Sequence, residues 1–227
     1  MSSKQVLRVL NVRVSFRLKH VLFPIDLREL IEVLSNLGYA IVPQVLQALP
    51  GPGMAEIAYM SGSGPIARKG NLIIDVNSDK GVIGVGGPSI RDVELAFNEI
   101  EKAIHDNFNV NPNVDVRFYE ILARLDYEDE GKNILENMEK IGNKDLLTRL
   151  GGIIGKEPIL YGIRLVPKGM VPNQEEWFDI IVQPHIYKPN QVYQISITYR
   201  STDRNNVFTI FRNLENITSR ILKELQA

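Results

Sequence analysis

Arginines on the polar side of predicted strands are the residues whose type and spacing could do chemistry in this chain. Between residues 6 and 18, apolar residues alternate with Asn11, Arg13 and Arg17, which is typical of a half-buried strand with one polar face. A guanidinium group donates several hydrogen bonds in a fixed fork that suits phosphate or carboxylate groups. We therefore predict a binding surface made from the polar faces of several strands. Its candidate residues are Asn11, Arg13, Arg17, Arg124, Arg164 and Arg200.

The same predicted surface also carries acidic side chains. Glu120 and Asp179 from the second half of the chain, and Asp75 from the first, fall on the polar side of their strands. An antiparallel sheet often leaves one face in water. A solvated face with mixed charges therefore explains the pattern as well as a binding surface does, and both interpretations stay open.

Metal, cofactor and nucleophile chemistry find little support in the sequence. The chain has no cysteine, which excludes disulfides, thiolate nucleophiles and cysteine-ligated metal sites. His20, His105 and His185 are far apart and show no paired metal-ligand spacing, so we expect no metal and no cofactor. Because no nucleophile elbow or catalytic carboxylate motif is present, we predict that the protein is not an enzyme. A site in which His185 lies beside Asp179 and Arg200 is an alternative.

Three other segments have compositions that could bind a partner. The glycine-rich residues 81–89 precede a predicted helix but lack a phosphate-binding lysine. We interpret their glycines as allowing sheet curvature or close approach of another group. The acidic residues 126–130 are predicted to form a solvated loop. Apolar residues within 45–54 surround a proline-rich connection and would form a contact patch if they are exposed.

Charge and hydropathy narrow the classes of partner. The 227 residues include 26 Lys and Arg against 27 Asp and Glu, a net charge of −1. Residues 1–113 carry 11 of each sign, so neither half has the positive excess that usually marks a dedicated nucleic-acid-binding protein. No apolar run reaches membrane-spanning length, and the N-terminus lacks the apolar core of a signal peptide. We expect a cytoplasmic protein without a membrane partner.

The first half of the chain reads as a strand, a helix, several short strands and a long helix. The first helix is predicted to begin after the N-cap residue Asp26 and to end at Gly38. The predicted strands after it cover residues 39–42, 55–60, 71–76 and 82–85. A turn at residues 77–81 joins the last two, and residues 61–65 are predicted to begin a loop. Ser89 then caps the long helix.

The same order restarts after residues 109–113, a turn rich in asparagine and proline. A strand is predicted at residues 114–125. The elements predicted next are helices at 133–141 and 144–150 and strands at 157–166, 177–187 and 191–200. Residues 188–190 are predicted to be the turn between the last two strands, and one long helix is predicted at 203–225.

The repeated order indicates an internal duplication. Arg17-Leu18 matches Arg124-Leu125 at a spacing of 107 residues, and Phe97 matches Phe211 at a spacing of 114. A repeat of this length indicates a duplicated domain, although chance similarity between two α+β modules is the alternative. We predict an α+β fold in which two repeats form one pseudo-symmetric domain. The repeats cover residues 1–113 and 114–227.

This arrangement resembles the fold of the TATA-box-binding-protein family. The similarity covers nearly the whole chain and is clearest in residues 11–15, in residues 52–57 and in residues 73–89. In the second half, the matching strand begins at residues 114–116. The resemblance implies a curved antiparallel sheet with helices on one face. Proteins of that family press the other face into the minor groove of DNA and insert phenylalanines between base steps.

The residues that would kink DNA are not present at the matching positions. In order, the four positions of inserted phenylalanines hold Gly51, Val76 or Asn77, Glu157 and residues 181–183. Asn11 matches one of the groove-reading asparagines, whereas Phe118 stands in place of the other. The resemblance therefore predicts the architecture and not the kinking of DNA.

The sequence thus predicts a non-enzymatic binding protein that uses a polar, arginine-bearing sheet face to bind nucleic acid or a protein partner. One alternative is a structural or assembly subunit, a homodimer joined through sheet edges or through the apolar connection at residues 45–54. Another alternative is a small-molecule-binding domain around His185. The choice between nucleic acid and protein stays open at this point.

Overall fold

One antiparallel sheet of nine strands runs through the part of the chain that the structure describes. The structure is a computed structural model, and it describes residues 5–19, 25–43, 63–129 and 133–226. The strands are β1 (Gln5–Leu18), β2 (Ala40–Ile41), β3 (Ser63–Lys69), β4 (Leu72–Asn77), β5 (Val82–Gly87), β6 (Val116–Asp129), β7 (Ile163–Leu165), β8 (Trp177–His185) and β9 (Lys188–Ser201). Their order across the sheet is β2-β3-β4-β5-β1-β6-β9-β8-β7.

Seven helices accompany this sheet in the described ranges. They are α1 (Leu27–Asn36), α2 (Ile90–Phe108), α3 (Pro112–Asp115), α4 (Ile134–Ile141), α5 (Lys144–Ile154), α6 (Arg204–Arg212) and α7 (Leu214–Leu225). Their buried side chains share one core with alternate residues of the strands. The predicted α+β class is therefore confirmed, together with an open antiparallel sheet.

Aromatic side chains fill the core where the two long central strands meet the helices. The Phe97 ring on α2 lies 5.9 Å from that of Phe16 on β1 and 5.5 Å from that of Phe208 on α6. Tyr119 on β6 lies 6.3 Å from Phe97 on its other side. Edge-on and tilted contacts of this kind add to the free energy gained by burying the rings. The core is thus continuous across the first and second halves of the chain.

Two ion pairs join α2 to α6 above this core. Arg204 Nε lies 2.9 Å from Glu101 Oε2, and Arg212 Nε lies 3.0 Å from Glu94 Oε1. Glu101 also accepts a hydrogen bond of 3.0 Å from the hydroxyl of Tyr119. A carboxylate that is largely buried needs such partners to offset its desolvation.

Several local predictions are confirmed. Asp26 caps α1, since its side chain accepts a hydrogen bond of 2.7 Å from the backbone N–H of Arg28. Ser89 caps α2 through a bond of 3.3 Å from Asp92 N. The turn at residues 77–81 joins β4 to β5 and ends on Gly81, whose φ of 61° suits a residue without a Cβ atom.

The alternation predicted for β1 is wrong at the N-terminal end of the strand, because the strand contains a β-bulge there. Its pairing with β6 shifts register between Val9 and Asn11. The predicted alternation placed Leu10 in the core with Val12, but Leu10 is 46% exposed and Leu7 and Val9 pack against the core instead. One extra residue exchanges the two faces of a strand, which a strict period of two does not anticipate.

Residues predicted to form loops or turns belong to strands in three places. Residues 63–65, predicted as loop, begin β3. The acidic stretch from Asp126 continues β6 to Asp129, whose side chain is fully buried. Lys188 pairs with His185, so β9 already includes the residues predicted as the turn. In each case pairing with a neighbouring strand overrides local preference.

Other boundaries in the second half also differ from the prediction. The strand predicted at residues 157–166 is limited to the three residues of β7. β6 begins at Val116 and not at residue 114, because α3 precedes it. The single helix predicted at 203–225 is divided at Asn213, which ends α6 and precedes α7. The strand predicted at 55–60 and the apolar connection at 45–54 lie outside the described residues.

Candidate binding surface on the open sheet face

The registers of the strands place the predicted polar residues on one face of the sheet, opposite the helix-packed core. Asn11 pairs with Arg124, and Arg124 pairs with Ser196 on β9. Two rows further along the strands, Gly84, Ser15, Glu120 and Arg200 lie side by side on β5, β1, β6 and β9. We call this surface the open face.

Arg13 is held by an acidic residue two strands away. Its Nε donates to Asp75 Oδ2 over 2.8 Å, and its Nη1 donates to Ser15 Oγ over 2.9 Å. The guanidinium group crosses directly above Gly84, where a Cβ atom would overlap it. Glycine at this position therefore permits close approach of the Arg13 side chain, which agrees with one interpretation of the glycine-rich segment.

Arg200 is engaged still more completely. Its Nε donates to Glu120 Oε2 over 2.9 Å, and its Nη1 donates to the carbonyl oxygens of Pro172 and Gln174 over 3.0 and 2.9 Å. The carbonyl contacts bring residues 167–176, which we call the strap, onto the end of the open face. Only 16% of the Arg200 side chain is exposed. Most of the N–H donors of Arg200 are therefore already engaged in hydrogen bonds within the molecule.

Arg164 forms a third pair, at the outer strand. Its Nε donates to Asp179 Oδ1 over 2.9 Å, and these hydrogen bonds raise the pKa of the guanidinium group above its ordinary value. The Arg164 side chain is 61% exposed, so water screens this pair much more than the pairs of Arg13 and Arg200. The structure thus places three of the five predicted arginines against carboxylates of the same face.

The remaining predicted residues lie near the middle of the open face. Arg124 is exposed, and among the described residues no carboxylate lies within ion-pairing distance of it. Arg17 lies with its guanidinium carbon 5.8 Å from the centre of the Phe118 ring. Asn11 is exposed beside Arg124. These three side chains have polar groups directed to solvent or to an aromatic ring.

Phe118 is a component of this surface whose burial the sequence did not reveal. It pairs with Arg17 and so belongs to the open face, yet it is only 6% exposed. Arg200 covers it at 4.3 Å from guanidinium carbon to ring centre. The one sequence signal for this burial was a phenylalanine on the polar side of a strand. The side chain that covers it, Arg200, comes from the distant strand β9.

The strap is attached at two further points. Arg117 Nε donates to Glu175 Oε1 over 2.8 Å. Glu176 Oε1 accepts hydrogen bonds from the hydroxyl of Ser201 and from the backbone N–H of Thr202, at 3.1 and 2.7 Å. A pocket beside it is lined by Arg117, Met170 and other strap residues, and it does not include His185.

The residues proposed for a small-molecule site do not meet. His185 lies at the far end of β8 and accepts a hydrogen bond of 3.2 Å from Tyr187 N, whereas Asp179 and Arg200 are paired with Arg164 and Glu120. Six residues of strand separate His185 from Asp179, which is about 20 Å. Among the described residues, no group of three His, Asp or Glu side chains could hold a metal ion.

Comparison with known proteins does not show a family for this chain. No family model matches this chain, and no curated protein matches it significantly. Within the described ranges, no helix has the length and apolar character needed to cross a membrane.

Proposed function

We propose that this chain is a non-enzymatic binding protein, that the open face is its contact surface and that its partner is another protein. The observation that supports a protein over nucleic acid is the set of ion pairs on that face. Arg13, Arg164 and Arg200 are each neutralised by a carboxylate of a nearby strand. A phosphate backbone is bound mainly through uncompensated positive charge, and this face offers little of it.

The composition of the open face also suits a protein partner. Leu122 and Ile73 are exposed there, between the charged residues. Protein interfaces are about as apolar as the rest of a protein surface and are enriched in arginine. Arg124 and Arg17, which lack a carboxylate partner among the described residues, are the positions at which we expect a partner to gain hydrogen bonds.

A photocrosslinking experiment tests the surface and the class of partner together. A photoreactive phenylalanine analogue replaces Leu122 on the open face, and a matched variant carries it at Leu95, which is 59% exposed on α2. In cell extract we expect a discrete protein adduct from position 122 only. Arg124→Glu should reduce that adduct, whereas Lys102→Glu on α2 should leave it unchanged.

Nucleic acid is tested in parallel by fluorescence anisotropy with labelled single-stranded and duplex probes at low and near-physiological salt. We expect no binding that weakens steeply with salt. Steep salt dependence, or a nuclease-sensitive adduct from position 122, would assign the open face to nucleic acid instead. The same adducts from both crosslinking positions would refute the open face as the contact surface.

We also propose that the two halves are repeats with the architecture of the TATA-box-binding-protein family. From the centre of the sheet outward, the strand order is β1-β5-β4-β3-β2 on one side and β6-β9-β8-β7 on the other, so the first four strands correspond and β2 has no described counterpart. In both halves the first strand is central and the last strand lies beside it. The proposal concerns architecture, since the residues that would kink DNA are not found at the matching positions.

The register between the central strands adds support to this proposal. With the 107-residue spacing, Asn11 corresponds to Phe118 and Arg17 corresponds to Arg124. The observed pairs are Asn11 with Arg124 and Arg17 with Phe118, so exchanging the repeats converts one pair into the other. Such self-complementary pairing is expected where a two-fold axis relates two strands.

Superposition of residues 5–113 on residues 114–226 in an experimental structure tests the duplication. We expect β1, β5, β4 and β3 to superpose on β6, β9, β8 and β7 by a rotation close to a half turn. A rotation far from a half turn, or a superposition that joins other strands, would contradict it.

A further inference from the structure

Helix α5 carries an apolar stripe that the described part of the chain leaves exposed. Leu146, Leu150, Ile153 and Ile154 follow the spacing of one helix face. All four are exposed, and Ile153 and Ile154 reach 82% and 62%. No residue of α5 is buried. A helix of this pattern ordinarily gains its stability by packing the stripe against another surface.

The other side of α5 does contact the chain, and this fixes which way the stripe faces. A Cβ atom at Gly151 would lie 3.2 Å from Pro158, and one at Gly142 would contact Leu147 and Leu160. The side of α5 that carries Gly151 therefore faces the segment that follows the helix. Its stripe of larger residues is left on the outside.

A strand edge that is unpaired in the described part of the chain follows α5 in the sequence. β7 is the last strand of the sheet, and no strand in the described part of the chain pairs with its outer edge. Leu165 and Val166 are exposed there. Leu160 lies beside Gly142, which directly precedes the N-cap residue of α5, and it is three residues from β7, which is at most about 10 Å of chain. A single bound segment could therefore contact both features.

The charge around these features is positive. Residues 140–168 contain six Lys or Arg and two Asp or Glu, a net charge of +4 in a chain whose net charge is −1. Arg164 is paired with Asp179. The other five basic side chains have no described carboxylate within ion-pairing distance. They are Lys140, Lys144, Arg149, Lys156 and Lys168.

We propose that α5 and the outer edge of β7 form a docking site for an acidic, extended polypeptide segment of a partner. The segment adds a strand to β7 through backbone hydrogen bonds. Its apolar side chains cover the stripe of Leu146, Leu150, Ile153 and Ile154. Its acidic side chains lie opposite Arg149 and the neighbouring lysines. This site is separate from the open face and does not depend on its function.

The strand edge favours a polypeptide over a lipid surface. The N–H and C=O groups on the outer edge of β7, which no described strand pairs with, require hydrogen-bond partners, which another backbone supplies and a hydrocarbon layer does not. The charge argues against a second copy of this chain at the same site. A two-fold contact through this region would bring two surfaces of net positive charge together.

Selection from a displayed library of random short peptides on the full-length protein tests the proposal. We expect enriched peptides to be acidic with alternating apolar residues. Enrichment should fall by about tenfold or more, equivalent to about 1.4 kcal/mol, on Arg149→Glu/Lys156→Glu and on Ile153→Asp/Ile154→Asp. Leu95→Asp and Lys102→Glu on α2 are the matched controls and should bind like the wild type.

An enriched peptide should also slow exchange of those amide hydrogens in β7 that point away from β8, because a new strand protects the outer edge. The proposal is overturned if the enriched peptides are not acidic, or if the stripe and charge variants retain them. Binding to phosphatidylserine vesicles, lost in Ile153→Asp/Ile154→Asp, together with no acidic peptide, would assign the site to a membrane. A dimer that the same variant dissociates would assign it to a second copy.

Discussion

The first half of the sheet has an added outer strand, β2, at what we call the covered end, whereas the second half ends at β7, which we call the open end. In the first half, β2 pairs with β3, so that Ala40 lies against Arg68 and Ile41 against Ala67. In the second half, no described strand takes the corresponding place beside β7. Of the 18 large hydrophobic side chains that are exposed in the described ranges, 13 lie between residues 141 and 187. The two outer ends of one sheet therefore differ in how completely the chain buries its own apolar surface.

The difference arises between the first and second strands of each half. The first half places α1 there, and Leu30, Ile31 and Leu34 of this helix are buried. The second half places two helices there, of which only α4 contributes buried residues. The apolar stripe of α5 does not pack against the described part of the chain and is therefore exposed. Exposed apolar patches usually mark contact sites.

The largest expected effect distinguishes the shared centre from the open end. Phe97→Ala removes the ring that contacts both Phe16 and Phe208, and we expect it to lower the free energy of unfolding by about 3–5 kcal/mol. Ile153→Ala, at a side chain that is 82% exposed, should change it by less than about 0.5 kcal/mol. Urea unfolding followed by circular dichroism measures both. Similar losses for the two variants would show that the open end is packed after all.

A smaller effect is expected at the ion pair that joins the two halves. Arg204→Ala leaves Glu101, whose side chain is only 11% exposed, with Tyr119 as the one remaining hydrogen-bond donor among the described residues. We expect a loss of about 1–3 kcal/mol in the free energy of unfolding. Arg164→Ala breaks a pair that solvent screens, so its loss should be about 0–1 kcal/mol. The reverse order would mean that the outer pair, and not the one at the junction, stabilises the sheet.

The last prediction concerns Tyr119→Phe, which should change how the free energy of unfolding responds to alkali. Burial and the neighbouring Glu101 carboxylate raise the pKa of Tyr119 above its ordinary value of 10.0. The neutral phenol is therefore favoured in the folded state. Its stabilising contribution is complete below about pH 10 and is lost as pH rises through the folded pKa, by at most about 1.4 kcal/mol per pH unit.

Urea titrations between neutral pH and strongly alkaline pH test this expectation. Tyr119→Phe should lose stability less steeply than the wild type above pH 10, since one ionising group is missing. Burial and Glu99 raise the pKa of Tyr39 in the same direction, so Tyr39→Phe is a matched variant at the covered end of the sheet. Equal slopes for the wild type and Tyr119→Phe would mean that the hydroxyl at the junction titrates normally.

The sequence predicted that the candidate residues share the face of the sheet opposite the core, but it did not reveal the contacts that these residues make. The alternation at Arg13 and Arg17 predicted which side of β1 faces away from the core, and the register agrees beyond the bulge. Which arginines are neutralised did not follow from it. Glu120 and Asp75 were recognised as lying on the same face, but not as partners of particular arginines. The stripe of α5 was missed, because an amphipathic pattern predicts that a stripe is buried.

The sequence by itself determined the helix caps at Asp26 and Ser89, the turn at residues 77–81 and the long central strands. Each of these depends on residues within a few positions of one another. Only the tertiary structure decided the bulge in β1, the three-residue length of β7 and the pairing of charges across the open face. Arg13 and Asp75 are 62 positions apart, and Arg200 and Glu120 are 80 apart. Such contacts form only when strand order and register bring distant segments together, which no local pattern specifies.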